Sequence, residues 1–291
     1  MMTIYRSRRS KKIEQDIGFM VLRACMGIVG LVLFIILWDI VTKGMGKVSW
    51  TFLTQPPRNG MTEGGIYPAI VGTFFVTLIT AIMAVPLGMG CAIYLNEYAR
   101  DSKLTRLIRM SIRNLSGVPS IVYGLFGVVL FVQFMDLGTC VLASGLTLGL
   151  MTLPLTITAS EEALKNVPQG YRDGSLALGA NKWQMIRTNV LPYSIPGMLT
   201  GTILGLSRAA GETAPILFTG AAFFLPFLPR SPFDQFMALP YHLYVMATQH
   251  HDITGVRPIA YGTALVLILL VFGMNLIAII MRYHLRKLKR D

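Results

Sequence analysis

From residue 66 to residue 95 the chain carries no charged side chain. About 20 consecutive apolar residues are enough to cross the hydrocarbon core of a bilayer as a helix. No water is present there to satisfy the backbone, so a single such segment must close its hydrogen bonds within itself. Comparable runs cover residues 17–41, 118–136, 141–159, 192–224 and 259–283. The chain is therefore expected to be an all-α integral membrane protein with six transmembrane helices. Pro86 is expected to kink the second span, and a very short turn around Gly138 to join the third to the fourth.

Composition excludes the soluble alternatives. Of 291 residues, 53% are hydrophobic and 14% charged, with a mean hydropathy of +0.58. The net charge of +12 does not point to nucleic acid, because the basic residues sit beside the apolar runs. Arg6, Arg8, Arg9, Lys11 and Lys12 precede the first span, and Arg100, Lys103, Arg106, Arg109 and Arg113 follow the second. Lys165, Arg172, Lys182 and Arg187 follow the fourth, and Arg282, Arg286, Lys287, Lys289 and Arg290 close the chain. These segments alternate with less basic ones, which puts both termini in the cytoplasm. The expected organisation is a basic segment (1–16), a six-helix membrane domain (17–283) and a basic tail (284–291) that could meet anionic lipid. The first run lacks a small-residue cleavage site and reads as an uncleaved anchor. Arg23 and Asp39, near the ends of that run, can snorkel. Cys25, Cys91 and Cys140 have neither disulfide nor zinc spacing.

Two charges, Arg208 and Glu212, interrupt the fifth run. A charge at bilayer depth costs about 2.5–3.5 kcal/mol even on the lenient insertion scale. Four residues apart, the two can share a helix face and pair. Either they only hold helices together, or they line a pathway. In the second case the planar guanidinium suits an oxyanion, and Thr213 would add a hydroxyl. Counting from Pro192 at about 1.5 Å per residue puts Arg208 in the outer half of the membrane. Gly197, Gly201, Gly205 and Ala209 repeat every four residues, a spacing that lets a neighbouring helix approach closely. Gly145 and Gly149 of the fourth span are one candidate for the matching surface.

The loop 161–192 reads as two short helices broken at a glycine. Pro168 suits a first turn, Gly179 a left-handed cap and Asn181 the next N-cap. Trp183, Ile186 and Val190 fall on one face. Such a unit either docks on a partner or lies on lipid. His242, His250, His251 and Asp252 fall in the last outer loop without metal-ligand spacing, and are expected to be solvated there.

This loop resembles the coupling loop of binding-protein-dependent ABC importer permeases, whose pattern is E-A-A, three residues, G and a later L-P. The matching positions are Asp173, Gly174, Ser175, Gly179, Leu191 and Pro192, with the acidic residue shortened and both alanines replaced. The stretches 114–127 and 206–217, the latter with an unbroken Gly-Glu-Thr-Ala-Pro, resemble the phosphate-specific (Pst) branch, its PstA-type subunit more than its PstC-type partner. The resemblance implies the type I importer permease fold in a bacterial or archaeal cytoplasmic membrane. It also implies a second, PstC-type permease, two copies of a PstB-type ATPase that bind ATP with Mg, a PstS-type binding protein outside, and inorganic phosphate as cargo. In that setting Arg208, Glu212 and Thr213 line the pathway, and the six coupling-loop positions transmit ATPase closure. No G-x-x-x-x-G-K-[ST] loop is present, so the chain needs an ATPase from elsewhere, and no cofactor or catalytic site is expected in it. The rival readings are a permease for sulfate, molybdate or phosphonate, and a secondary phosphate carrier, although the chain shows no internal repeat. A membrane enzyme would need a nucleophile–base pair or a metal cluster, and neither is evident.

Overall fold

The computed structural model describes the backbone of residues 8–287 and the side chains of residues 15–284. The basic residues expected at the two ends, Arg6 to Lys12 and Arg286 to Arg290, lie outside the described side chains. The helices are α1 (Arg8–Met45), α2 (Trp50–Thr54), α3 (Tyr67–Ile93), α4 (Lys103–Leu115), α5 (Ser120–Gly127) and α6 (Val141–Lys165). They continue as α7 (Gln169–Ala177), α8 (Lys182–Met185), α9 (Leu191–Ala209), α10 (Ala214–Thr219), α11 (Leu239–Thr248) and α12 (Ile253–Lys287). A small hairpin, β1 (Pro57–Arg58) with β2 (Glu63–Gly64), joins α2 to α3.

Among the described residues five helices are long and apolar enough to cross a membrane, and a sixth span exists if α4 and α5 count as one broken element. The expected third span is the broken one. The helical run from Ser120 to Phe134 rises only about 22 Å, short of the ~30 Å hydrocarbon core. Before Ser120 the chain is bent by 101° relative to α4. The second span passes through Pro86 as one helix and ends in a wider π turn, Tyr94–Tyr98. The turn before α6 forms as expected, with Asp136 and Gly138 both at positive φ.

Helix α6 is the centre of the bundle. Of its best apolar window 61% is buried, against 0% for α1, whose side chains face outward. Small residues decide what α6 touches. The stripe on α9 packs against α6 of the same chain, Gly197 facing Ala163, Gly201 facing Ala159 and Gly205 facing Leu155. Gly145 and Gly149 do not supply the matching surface. They face α3, against Ile79 and Met83. Each pair of facing positions is four residues apart on its own helix, so α6 is gripped on two sides by the same device.

Apolar clusters close the two ends. One joins Phe52, Met61 and Ile66 to Leu239, Val245 and Ile259, at the end where the first and last loops meet. The other joins Ala92, Leu95 and Leu164 to Met185, Ile186 and Val190, beneath the loop that follows α6.

Candidate functional site

Arg208 is the penultimate residue of α9. The fifth span does not run on to residue 224 as one helix. After Ala209 the chain makes a tight turn, with Gly211 N–H donating to Arg208 O and Glu212 N–H to Ala209 O, and restarts as α10 at Ala214. Pro215 fits the restart, because it lacks the N–H that a continuous helix would need and is tolerated in the first turn of a new one. The two charges still meet across the break, Arg208 Nε lying 3.5 Å from Glu212 Oε1. The pair is loose. The Arg208 side chain is 66% exposed and that of Glu212 20%. Thr213 is half-buried at the start of the restart and is not in the cavity that Arg208 lines.

That cavity lies between the α4–α5 bend, α6 and the end of α9, and Arg208 shares it with Thr152 and Gly205. Thr152 is the twelfth residue of the 25-residue α6, so the Arg208 side chain reaches the cavity level with the middle of α6. The helical run reaching Ala209 begins at Lys182, inside the loop that precedes the expected span.

The loop between α6 and α9 occupies the other end of α9, about 26 Å away along the helix. Gly179 takes the left-handed conformation (φ +83°), and Asn181 caps α8 in a reciprocal box with Gln184. Pro168 lies one residue before α7, at its cap. Asp173 and Gly174 are exposed, and the Gln169 amide reaches the Asp173 carboxylate at 3.1 Å. Ser175 is buried, donating to Tyr171 O and accepting from the Asn189 amide. Leu191 is half-buried under the loop and Pro192 is exposed in the first turn of α9. Ile186 and Val190 are fully buried, but Trp183 is 56% exposed. Ile186 and Val190 share a buried face as expected, across the π turn Ile186–Val190, but Trp183 in the four-residue α8 does not join it. The tip of the loop is apolar and open, with Leu178 91% exposed.

Two buried ion pairs escaped the sequence reading. Arg172 in α7 holds Glu97 of the π turn after α3, Nη2 to Oε1 at 2.8 Å, and also donates to the carbonyls of Val167 and Leu164. Arg109 in α4 holds Glu161 of α6 at 2.9 Å and donates to Leu95 O at 2.7 Å. Both arginines had been read only as topological charges. The signal was Glu97, an acidic residue that ends a long uncharged span. These pairs tie α7 and α4 to the ends of α3 and α6.

The outer-loop histidines are not all solvated. His242 on α11 is 2% exposed and neither ring nitrogen has a hydrogen-bond partner among the described residues. Burial, with His250 nearby, pushes it down to about 4. His250 is buried too, its Nε2 2.8 Å from Gly60 O, which ties this loop to the hairpin before α3. His251 and Asp252 are exposed. Asp39 is engaged as well, by Lys43 and by the Tyr261 hydroxyl of α12.

Comparison with known proteins accounts for this arrangement. Residues 84–291 match the family described as binding-protein-dependent transport system inner membrane component. The probable ABC transporter permease protein YqgI of Bacillus subtilis is 31% identical over 280 residues, covering 92% of this chain and 95% of the relative. The phosphate transport system permease protein PstA of Yersinia pestis is 38% identical over 223 residues, 75% of each chain. Among solved structures, a bacterial ABC transporter that imports the acidic polysaccharide alginate superposes with a TM-score of 0.66 at 12% identity, covering 94% of this chain and 99% of that one. The MetNI methionine transporter, in inward-facing conformations, gives 0.58 at 17% identity, covering 76% and 94%. These two structures speak to the fold, which is that of type I ABC importer permeases. The chain therefore belongs to the inner-membrane permease subunits of binding-protein-dependent ABC transport systems.

Proposed function

We propose that this permease forms half of the pathway of an ATP-driven importer of inorganic phosphate. The observation that carries the reading is Arg208, a two-thirds-exposed guanidinium at a helix break midway along the bundle, paired only loosely with Glu212. A guanidinium so placed offers donors to an oxyanion. The neighbouring carboxylate offsets part of its charge, so the anion can leave again. Several relatives named as PstA phosphate permeases, at 30–38% identity, support phosphate as the cargo.

In this reading the rest of the machine is a PstC-type permease, two PstB-type ATPases binding ATP with Mg, and a PstS-type binding protein. Both termini face the cytoplasm. The exposed Leu178 tip and Asp173, Gly174 and Gly179 meet the ATPase, while Ser175, Leu191 and Pro192 shape the loop behind them. Arg172 and Arg109 pass the movement of the loop to α3 and α6 through their ion pairs.

The test is uptake of radiolabelled phosphate by cells lacking this chain, with and without its restoration, after the proton gradient is collapsed while ATP is held. Restored uptake that persists and is not competed by sulfate or molybdate supports the reading. Uptake that dies with the gradient would mean a carrier, and competition by another oxyanion would mean a sister importer.

A further inference from the structure

The stretch 114–127 turns the chain through 101° between α4 and α5. The turn is pinned. Tyr123, 6% exposed, donates its phenol hydrogen to Leu115 O at 2.9 Å, from one arm of the bend to the other. Gly124 lets the start of α10 approach, since a Cβ there would lie 3.1 Å from both Ala214 O and Pro215 Cα. The two helix breaks, one after Leu115 and one after Ala209, are thus held against each other. Beside them lies a cavity of about 50 Å³, room for a few waters at roughly 10–15 Å³ each and so for one small oxyanion.

Its polar lining is Arg208 with four hydroxyls, Ser116, Ser120, Tyr123 and Thr152. The hydroxyls are not equivalent. Ser120 makes no hydrogen bond among the described residues, and Ser116 reaches only Ile112 O, at 3.5 Å. Both keep a donor to give. Thr152 is 3% exposed and its hydroxyl lies 3.0 Å from both Leu148 O and Gly149 O. Its hydrogen is spent within α6, so it offers only lone pairs. Arg208 is 3.5 Å from Glu212, which leaves guanidinium donors free. The Tyr123 hydrogen is likewise spent, on Leu115 O, so the lining offers a cationic fork, two hydroxyl donors and two hydroxyls with lone pairs only, which complements a tetrahedral anion that still carries a proton.

We infer that this cavity is the oxyanion subsite of the translocation pathway. Arg208 and the Ser116 and Ser120 hydroxyls donate to the anion's oxygens, and Thr152 accepts from its O–H. The inference rests on the reading of the chain as a phosphate importer permease and adds the groups that replace the water stripped from the anion at mid-path.

The test uses the complete importer, this chain with its own second permease, ATPase and binding protein, in proteoliposomes. Labelled phosphate taken up and ATP hydrolysed are measured together, and assembly is checked by co-purification. Ser116→Ala with Ser120→Ala, and separately Thr152→Val, should each lower phosphate delivered per ATP at least tenfold in complexes that still assemble and hydrolyse ATP. Ser120→Thr, which keeps the hydroxyl, should stay near wild type. An unchanged ratio in the alanine and valine variants overturns the subsite and leaves the phosphate reading intact. Equal loss of uptake and hydrolysis would assign these residues to the fold, and also overturns it. If the wild-type complex carries labelled sulfate and no phosphate, the phosphate reading fails, and the same ratio measured with sulfate decides the subsite.

Discussion

Two arginine–glutamate pairs in this chain look alike on paper and differ in every physical respect. Arg172 and Glu97 come from different elements, are 13% and 4% exposed, and the guanidinium is also held by two backbone carbonyls. Arg208 and Glu212 come from one helix end, are 66% and 20% exposed, and lie 3.5 Å apart. The first pair spends four of the five guanidinium N–H donors on Glu97 and the two carbonyls, and so ties α7 to the end of α3. The second leaves its donors unspent beside a cavity. Pairing satisfies a charge only when the surroundings finish the work, and an arginine left half-finished in an apolar bundle is placed to bind something.

The comparison breaks most visibly at Arg172. Arg172→Ala leaves Glu97 buried without its cation, which costs about 3–5 kcal/mol. The expected result is a large drop in the melting temperature of the purified permease and in its level in the membrane. The double variant Arg172→Met with Glu97→Leu should recover much of that stability, because apolar groups of similar volume replace a buried pair at little cost. Retained stability in the single variant would mean that the pair holds nothing.

His242 sharpens the contrast, as a buried polar group with no hydrogen-bond partner among the described residues. Above about pH 6.5 neither the folded nor the unfolded state holds a proton on it. As pH falls toward the folded value of about 4, the unfolded state takes the proton first, so stability is lost across that window. The loss attributable to this side chain approaches about 3 kcal/mol at the acid end, from the difference of roughly 2.5 pH units. His242→Phe should flatten that part of the profile, read as the difference in melting temperature between variant and wild type at pH 7 and pH 4.5.

Next in size is the grip on α6. Gly201 faces Ala159 so closely that an added side chain must push α9 away from α6. Gly201→Val should cost about 1–3 kcal/mol, as overpacking does. Gly170, which has open space around it, should tolerate alanine with little change. Thermal melting of the two variants checks both.

What the sequence made legible follows the range of the forces involved. The apolar runs, the left-handed Gly179 and the Asn181 cap were readable because each is decided within a turn or two of chain. The partner of the glycine stripe was not, since a stripe says how closely something approaches and not what approaches. The exposure of Trp183 beside the buried Ile186 and Val190 was not legible, because a 3.6-residue period assigns a shared face and not what covers each position on it. In the candidate site, Arg208 and Glu212 stood out by their charge against an apolar background. Ser116, Ser120 and Thr152 did not, because hydroxyls are common in such helices and only the meeting of two breaks brings them to one cavity.

The smallest stability effect is expected at the residue with the largest consequence for transport. Arg208 is mostly exposed and its partner is partly so; exposed pairs contribute about 0–1 kcal/mol. Arg208→Gln should therefore melt close to wild type and co-purify with the same partners. Phosphate uptake should nevertheless be abolished, because glutamine offers a neutral amide where the oxyanion needs a cation. Arg208→Lys should restore part of it, keeping the charge but not the planar fork. The reverse exchange in the buried pair, Arg172→Lys, should lose stability instead, since a single ammonium cannot reach both Glu97 oxygens and the two carbonyls at once. If Arg208→Gln instead destabilised the permease as Arg172→Ala does, the two pairs would be doing the same job, and the mid-bundle arginine would be a strut rather than a ligand for the passing anion.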